Sequence, residues 1–392
     1  MTREPRSPAC YKPVNVSDEI LIVAGEASAD LHAARALREL QRLRPGLTAF
    51  GVGGPALREA GLEALHPAEE ICVMGLDVLP RIPRILAILR DLARVAAARR
   101  PRAALLVDLP DFNLRLAAKL KKLGVKVVYY VSPTIWAWRR GRAKKIAKVV
   151  DRMLCILPFE PKAYEGTGVA ARFVGHPFAE KPAPSAPEAY RAELGLPSGR
   201  TTIALVPGSR PSEITRIFPH MLGAAERLLA LHPGALFVVP VAPTLSRAQL
   251  EAHLAGHEGL DVRLVDGRTA EVIGASDGAI VKSGTSTLEA ALMLRPMIVV
   301  YRVSWLTYVV GKLLVKIAWF SLVNLLAGRA VVTELLQREA SAERMAAELE
   351  SLLVDPVARE AQLAGLREVR GLLGEPGAPL RVAEEVAGVL GS

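Results

Sequence analysis

Short, continuous apolar runs recur along the chain, and they constrain its fold more than any other feature. "ILIVA" (20–24), "TAFGVGG" (48–54), "AALLV" (103–107), "KVVYYV" (126–131), "RMLCIL" (152–157) and "ARFVG" (171–175) form a first set, with helix-length segments between most of them. After "AEKPAPSAPEA" (179–189), rich in Pro and Ala and without periodicity, the pattern restarts. "TTIALV" (201–206), "ALFVVPV" (235–241), "VRLV" (262–265), "GAIV" (278–281) and "MIVVY" (297–301) make the second set. Strands that are apolar throughout, rather than alternating, are buried on both faces. That is the property of parallel sheets covered by crossover helices. The expected class is therefore α/β, with two doubly wound, Rossmann-like domains. The expected division is a tail over 1–18, a first domain over 19–178, a linker over 179–189 and a second domain over 190–392 ending in a wholly helical tail from Val331.

Ligands of such sheets bind at the carboxyl ends of strands, so chemistry is sought in the turns that leave the runs. "GAIVKSGTSTLEAAL" (278–292) passes from a strand through a small polar turn into a helix. Ser283, Gly284 and Thr285 are placed there to offer N–H groups and the positive end of a helix dipole to an anion. Glu289, four residues past Thr285 on the same helix face, is placed to take sugar hydroxyls. "LVPGSRPSEI" (205–214) has the same plan, with Arg210 at the helix start as a fork of donors for phosphate. Two anion-suited turns in one sheet point to a diphosphate, hence a nucleotide. No GxxxxGK[ST] is present, which removes a P-loop triphosphatase.

In the first half, Asp108 and Asp111 of "LLVDLPDFNLRLA" (105–117) directly follow a strand. Asp108 is placed as a general base in a cleft, whereas Asp111 is placed to cap the next helix. Glu26 of "GEASAD" and His176 of "VGHP" occupy similar turns, where they line the cleft, brace it or cap a helix.

Charge is uneven. Residues 81–152 carry 19 Lys/Arg against 4 Asp/Glu, an excess of +15 in a chain whose net charge is +10. "YVSPTIWAWRRGRAKKIAKVV" (130–150) adds Trp136 and Trp138 to that basic region. An anionic surface or ligand facing this half is implied, and no nucleic-acid recognition motif accompanies the charge. The segment 303–328 is apolar enough to invite a membrane-spanning assignment, but Lys312 and Lys316 lie in its middle. Each would cost roughly 2.5 to 3.5 kcal/mol at a bilayer centre. The expectation is a surface helix dipping into a bilayer interface, ahead of a plain buried helix, with the two lysines on one face, Trp305 and Leu306 on others, and all four facing the membrane. Cys10, Cys72 and Cys155 are scattered without CxxC spacing, which excludes a disulfide framework or zinc site and fits a reducing cytosol. No secretory leader is expected in the first 18 residues.

Taken in chain order, "AGEASAD", "VMGL", "DLPDFN", "YVSPTIWAWRRGR", "LPFE", "VGHP", "PGSR", "SGTSTLE", "SLVN" and "NLLAGR" resemble the lipid-A-disaccharide synthase family, inverting glycosyltransferases of the two-domain GT-B architecture. The resemblance covers roughly residues 19–390. It implies transfer of a diacylglucosamine unit from UDP-2,3-diacylglucosamine to the 6-hydroxyl of 2,3-diacylglucosamine 1-phosphate. It also implies no metal and no cofactor, an enzyme held peripherally on the cytoplasmic face of the inner membrane, Asp108 as essential acid, and Arg210 and Asn324 on the nucleotide side. The chain departs from the family pattern at Ala29, where relatives have a turn glycine, and at Val323, where they have proline. Two other readings are set against this one: a UDP-N-acetylglucosamine 2-epimerase-like isomerase on the same fold, and a basic nucleic-acid binder.

Overall fold

The computed structural model describes residues 18–71, 78–138, 140–180, 182–305, 307–309 and 318–391. The motif "VMGL" and the residues Leu306, Lys312 and Lys316 lie outside the described residues, as does the side chain of Trp138.

The first sheet holds β1 (Glu19–Ala24), β2 (Thr48–Gly53), β3 (Leu62–Pro67), β4 (Ala103–Val107), β5 (Lys126–Tyr130), β6 (Arg152–Cys155) and β7 (Ala170–Phe173) in the order β3-β2-β1-β4-β5-β6-β7. The second holds β8 (Thr202–Val206), β9 (Leu236–Val241), β10 (Asp261–Asp266), β11 (Gly278–Lys282), β12 (Met297–Tyr301) and β13 (Thr333–Leu336) in the order β10-β9-β8-β11-β12-β13. Every pairing in both sheets is parallel. Alternate residues of each central strand feed opposite faces. Ile20, Ile22 and Ala24 enter one hydrophobic cluster, and Leu21 and Val23 enter the other. Ile203 and Leu205 are likewise separated from Ala204 and Val206. This two-sided burial is why these runs carry no polar alternation.

In each sheet the order reverses direction once, between β1 and β4 and between β8 and β11. At such a reversal the crossovers diverge to opposite sides and leave a crevice beyond the strand ends.

Three expectations need correction. β3 and β13 were not expected. Both are edge strands with partly exposed positions such as Glu63, His66, Thr333 and Glu334, so they lack the continuous apolar pattern. The tail from Val331 is accordingly not wholly helical, since β13 completes the second sheet. Nor does everything after residue 190 belong to the second unit. Helix Ala378–Gly391 packs on helix Ala27–Leu43 and buries Val382, Ala383, Val386 and Leu390 in the first sheet's core. Its start is held by the Glu180 carboxylate, which accepts the N–H groups of Gly377 (2.7 Å) and Ala378 (2.9 Å).

Among the described residues, no helix is long and apolar enough to cross a membrane.

Candidate active site

Glu26 and Asp108 emerge from the two strands that flank the first switch point. β1 and β4 are paired to their ends at Ala24 and Val107, so the two carboxylates stand side by side beyond the sheet. Gly25 makes the approach possible, because a Cβ there would lie 2.8 Å from Leu109 Cδ2. Glu26 occupies the N-cap position of helix Ala27–Leu43, yet its side chain makes no capping bond and stays available to the cleft. Ala29 lies inside that same helix, without positive φ. A glycine is not needed at this position, so the departure from the family pattern carries no backbone penalty.

The Asp108 turn is held under constraint. Asp108 (φ 52°) and Leu109 (φ 48°) are consecutive non-glycine residues in the left-handed region, a conformation that persists only where surrounding contacts over-determine it. Here they do. Asn113 Nδ2 donates to the carbonyls of Asp108 (2.8 Å) and Val107 (3.1 Å), Tyr129 Oη donates to the Asp108 carbonyl (2.5 Å), and the Asp108 N–H donates to the Tyr130 carbonyl (2.9 Å). Burial pushes the Asp108 carboxyl above its ordinary range, partly opposed by a hydrogen bond from the Leu109 N–H. Burial also raises Glu26, helped by the charge of Asp108 and opposed by Arg210. Arg210, from the second sheet's side, thus lies within electrostatic reach of Glu26.

Asp111 is not the helix cap. Leu109 holds that position, and Asp111 sits in the first turn of helix Pro110–Lys122, its side chain 90% exposed and 3.3 Å from Arg142. His176 is a brace. It is buried, its N–H donates to the Leu373 carbonyl (2.8 Å), and its Nδ1 accepts the Phe178 N–H (3.1 Å). Trp136 packs edge-on against Phe159 at 5.0 Å, beside the second sheet's apolar cluster.

At the second switch point, the turn after β8 requires Gly208: its φ is +119°, and a Cβ would fall 2.2 Å from Glu213 Oε2. Arg210 is the N-cap residue of helix Pro211–Leu231, and its side chain is 63% exposed. Glu213 Oε2 accepts the Ser209 N–H (2.9 Å), while its Oε1 lies 2.8 Å from Lys282 Nζ and 3.7 Å from Arg210 Nη1. Burial alone would raise the Glu213 carboxyl, but Lys282, with help from Ser209 and Arg210, outweighs it and leaves the group below its usual range.

The Ser283–Thr285 turn needs a finer description than the sequence allowed. Ser283 is buried, its N–H donates to the Val300 carbonyl (2.9 Å) and its Oγ to the Phe320 carbonyl (2.7 Å), so it shapes the turn and offers no free donor. Gly284 and exposed Thr285 open helix Thr285–Leu292, with half-buried Glu289 in its second turn. Asn324 is held within the protein. It is fully buried, its Nδ2 donates to the Val332 carbonyl and to Glu334 Oε1 (both 2.9 Å), and its Oδ1 accepts the N–H groups of Val331 (2.7 Å) and Val332 (3.0 Å). With every side-chain polar atom engaged within the protein, Asn324 fixes the loop before β13. Val323 beside it is buried in the apolar cluster, which suits valine as well as proline.

Sequence reasoning missed Tyr129, Asn113, Glu213, Lys282 and Glu334. Lys282 had a signal, a lysine ending an otherwise apolar strand beside an anion-suited turn. Trp305 is 67% exposed and lies 5.7 Å from the Tyr308 ring, with Val309 and Phe320 also exposed nearby in sequence. Among the described residues, no three His, Cys, Asp or Glu gather as metal ligands.

Two doubly wound parallel sheets, each with one switch point, define the GT-B fold. Solved structures of that shape include MurG of Acinetobacter baumannii, with a TM-score of 0.58, 14% identity and coverage of 94% of this chain and 99% of that one. A UDP-GlcNAc 2-epimerase from Neisseria meningitidis, bound to UDP-GlcNAc, has a TM-score of 0.59 at 11% identity, covering 95% and 99%. These likenesses show the fold alone.

The family is settled by sequence. The model of the lipid-A-disaccharide synthetase family matches residues 20–375, and the chain belongs to that family. A lipid-A-disaccharide synthase of Anaeromyxobacter dehalogenans is 76% identical over 381 residues, covering 97% of this chain and 99% of that one. One from Myxococcus xanthus is 56% identical over 373 residues, covering 95% and 97%.

Proposed function

We infer that this enzyme joins UDP-2,3-diacylglucosamine to 2,3-diacylglucosamine 1-phosphate, giving the β-1,6-linked lipid A disaccharide and UDP. The observation that carries the reading is the meeting of two switch points: Glu26 and Asp108 at one, and Arg210 within electrostatic reach of Glu26 from the other. Asp108 takes the proton of the acceptor 6-hydroxyl as that oxygen attacks the anomeric carbon. Arg210 and the Gly284–Thr285 helix start stabilise the departing diphosphate through a cation and a helix dipole, and Glu289 takes hydroxyls of the UDP-sugar. Glu26, beside Asp108 at the mouth of the cleft, orients the acceptor. The exposed Trp305, Val309 and Phe320 with the basic segment 81–152 dock the protein peripherally on the cytoplasmic face of the inner membrane, where anionic lipid attracts the charge.

The test is incubation of purified protein with UDP-diacylglucosamine and the lipid acceptor, following UDP release and disaccharide formation. Epimerisation of unacylated UDP-N-acetylglucosamine, with no disaccharide formed, would instead establish the isomerase reading.

A further inference from the structure

A groove of about 360 Å³ opens immediately beyond the Asp108 turn, between helix Pro110–Lys122 and the segment 142–149. Two helical faces form it. Leu114 and Ala118 line one wall and Ile146 and Val149 the other, so its floor is apolar. Its rim is cationic: Arg115, Arg142 and Lys145 against the single acid Asp111. Asp111 and Arg142 are paired at 3.3 Å, whereas exposed Arg115 and Lys145 have no ion-pair partner among the described residues. The groove is joined to the reaction centre in two ways. Pro110, in its lining, is two residues from Asp108, a separation of at most about 7.6 Å between Cα atoms. Tyr129, whose hydroxyl holds the Asp108 carbonyl, feels the charges of both Asp108 and Arg142.

An apolar floor with two free cations at its rim fits an amphiphile that carries a phosphate. The phosphate takes the charge-assisted hydrogen bonds and the hydrocarbon covers the floor. Resting on the function proposed above, we propose that this groove is the acceptor subsite. Arg115 and Lys145 bind the 1-phosphate of the acceptor, and the apolar walls receive the first part of an acyl chain. The sugar is thereby held with its 6-hydroxyl over Asp108, a ring's width from the phosphate. The groove thus selects a phosphorylated acceptor over the same lipid without phosphate.

The test compares two acceptors in neutral detergent micelles: diacylglucosamine 1-phosphate and the same lipid with a free 1-hydroxyl. For Arg115→Gln/Lys145→Gln, the preference for the phosphorylated acceptor falls about 10-fold or more, the scale of losing one charge-assisted contact. The donor KM is unchanged, and the loss falls on the phosphorylated acceptor. Both side chains are exposed, so the variant keeps its fold. An unchanged preference in an active variant overturns the subsite. So does a variant that loses only its adsorption to mixed phosphatidylcholine–phosphatidylglycerol vesicles, because the cations then serve the membrane surface. Direct titration of the phosphorylated lipid separates this proposal from the function. Wild-type protein that catalyses no transfer, yet binds that lipid at least 10-fold more tightly than the variant does, sinks the reaction and keeps the groove.

Discussion

Lys282 Nζ lies 2.8 Å from the Glu213 carboxylate, so the end of β11 is tied to the helix that follows β8 across the second switch point. The same carboxylate accepts the Ser209 N–H and fills the space that the absent Cβ of Gly208 leaves open. Glu213 therefore sets the position of the turn that presents Arg210, without needing to touch the nucleotide.

Glu213→Ala should lower stability by about 1 to 3 kcal/mol, because the Ser209 N–H and the Lys282 ammonium lose a partner in a half-buried site. The displaced turn should also raise the donor KM about tenfold. Glu213→Gln keeps an acceptor for the Ser209 N–H and should recover most of that KM. Wild-type stability and KM in the alanine variant would show that the turn holds itself.

Asn324→Ala should be a folding defect before it is a binding defect. It leaves the N–H groups of Val331 and Val332 unpaired, which costs about 2 to 4 kcal/mol in chemical denaturation. UDP affinity measured well below the melting temperature should change little. A variant of native stability that no longer binds UDP would return Asn324 to the nucleotide site.

Asn324 also marks the limit of what the sequence discloses. Most strand runs, and with them the turns bearing Glu26, Asp108, Arg210 and Ser283, were legible because two-sided burial writes a continuous apolar pattern. What each polar side chain bonds to is a long-range matter. Nothing near Asn324 in sequence tells that Glu334 and Val332 will consume its amide. The return of helix Ala378–Gly391 to the first core was equally hidden, since an amphipathic helix shows that it packs but not on what. Asp111 looked like a cap because aspartate is a favoured N-cap residue, whereas Pro110 takes the first helical position and starts the helix two residues earlier.

The pH profile should reflect the raised Asp108 carboxyl. The base works only when ionised, so kcat/KM should fall on the acid side around a pKa above the ordinary aspartate value of about 3.9. Folding must be followed in parallel. Burial, aided by Arg35, depresses His32 to about 4, so the stability it contributes is complete above about 6.5 and is lost as pH falls toward 4. Circular dichroism at each pH separates the two effects. Constant kcat/KM down to pH 4 in folded protein would refute an ionised Asp108 as the base.

Trp305→Ser should leave thermal stability within about 0.5 kcal/mol, as for a surface position, because this ring is 67% exposed. Binding to anionic vesicles should weaken, and what remains should be salt-sensitive, since surface attraction decays within a Debye length of about 8 Å at physiological salt. A variant that sediments with vesicles as the wild type does would remove Trp305 from the docking face.

The decisive comparison is between two aspartates three residues apart. Asp108 stands beyond the end of β4, in a left-handed turn fixed by Asn113 and Tyr129, half-buried and beside Glu26. Asp111 points to solvent and pairs with Arg142. Asp108→Asn preserves size and the backbone contacts that hold the turn, and removes only the basicity. Turnover should drop by about 10² to 10⁴, the usual worth of general-base help, with UDP affinity and melting temperature little changed. Asp111→Asn removes an exposed ion pair and a favourable charge in a helix first turn, worth together about 1 kcal/mol or less, and turnover should stay near that of the wild type. Deuterated water adds a second readout. A solvent isotope effect on kcat that is present in the wild type and absent from the residual rate of Asp108→Asn locates the proton transfer at this carboxylate. Should Asp111→Asn prove inactive while Asp108→Asn turns over normally, the base lies on the rim of the groove and the turn around Asp108 serves architecture alone.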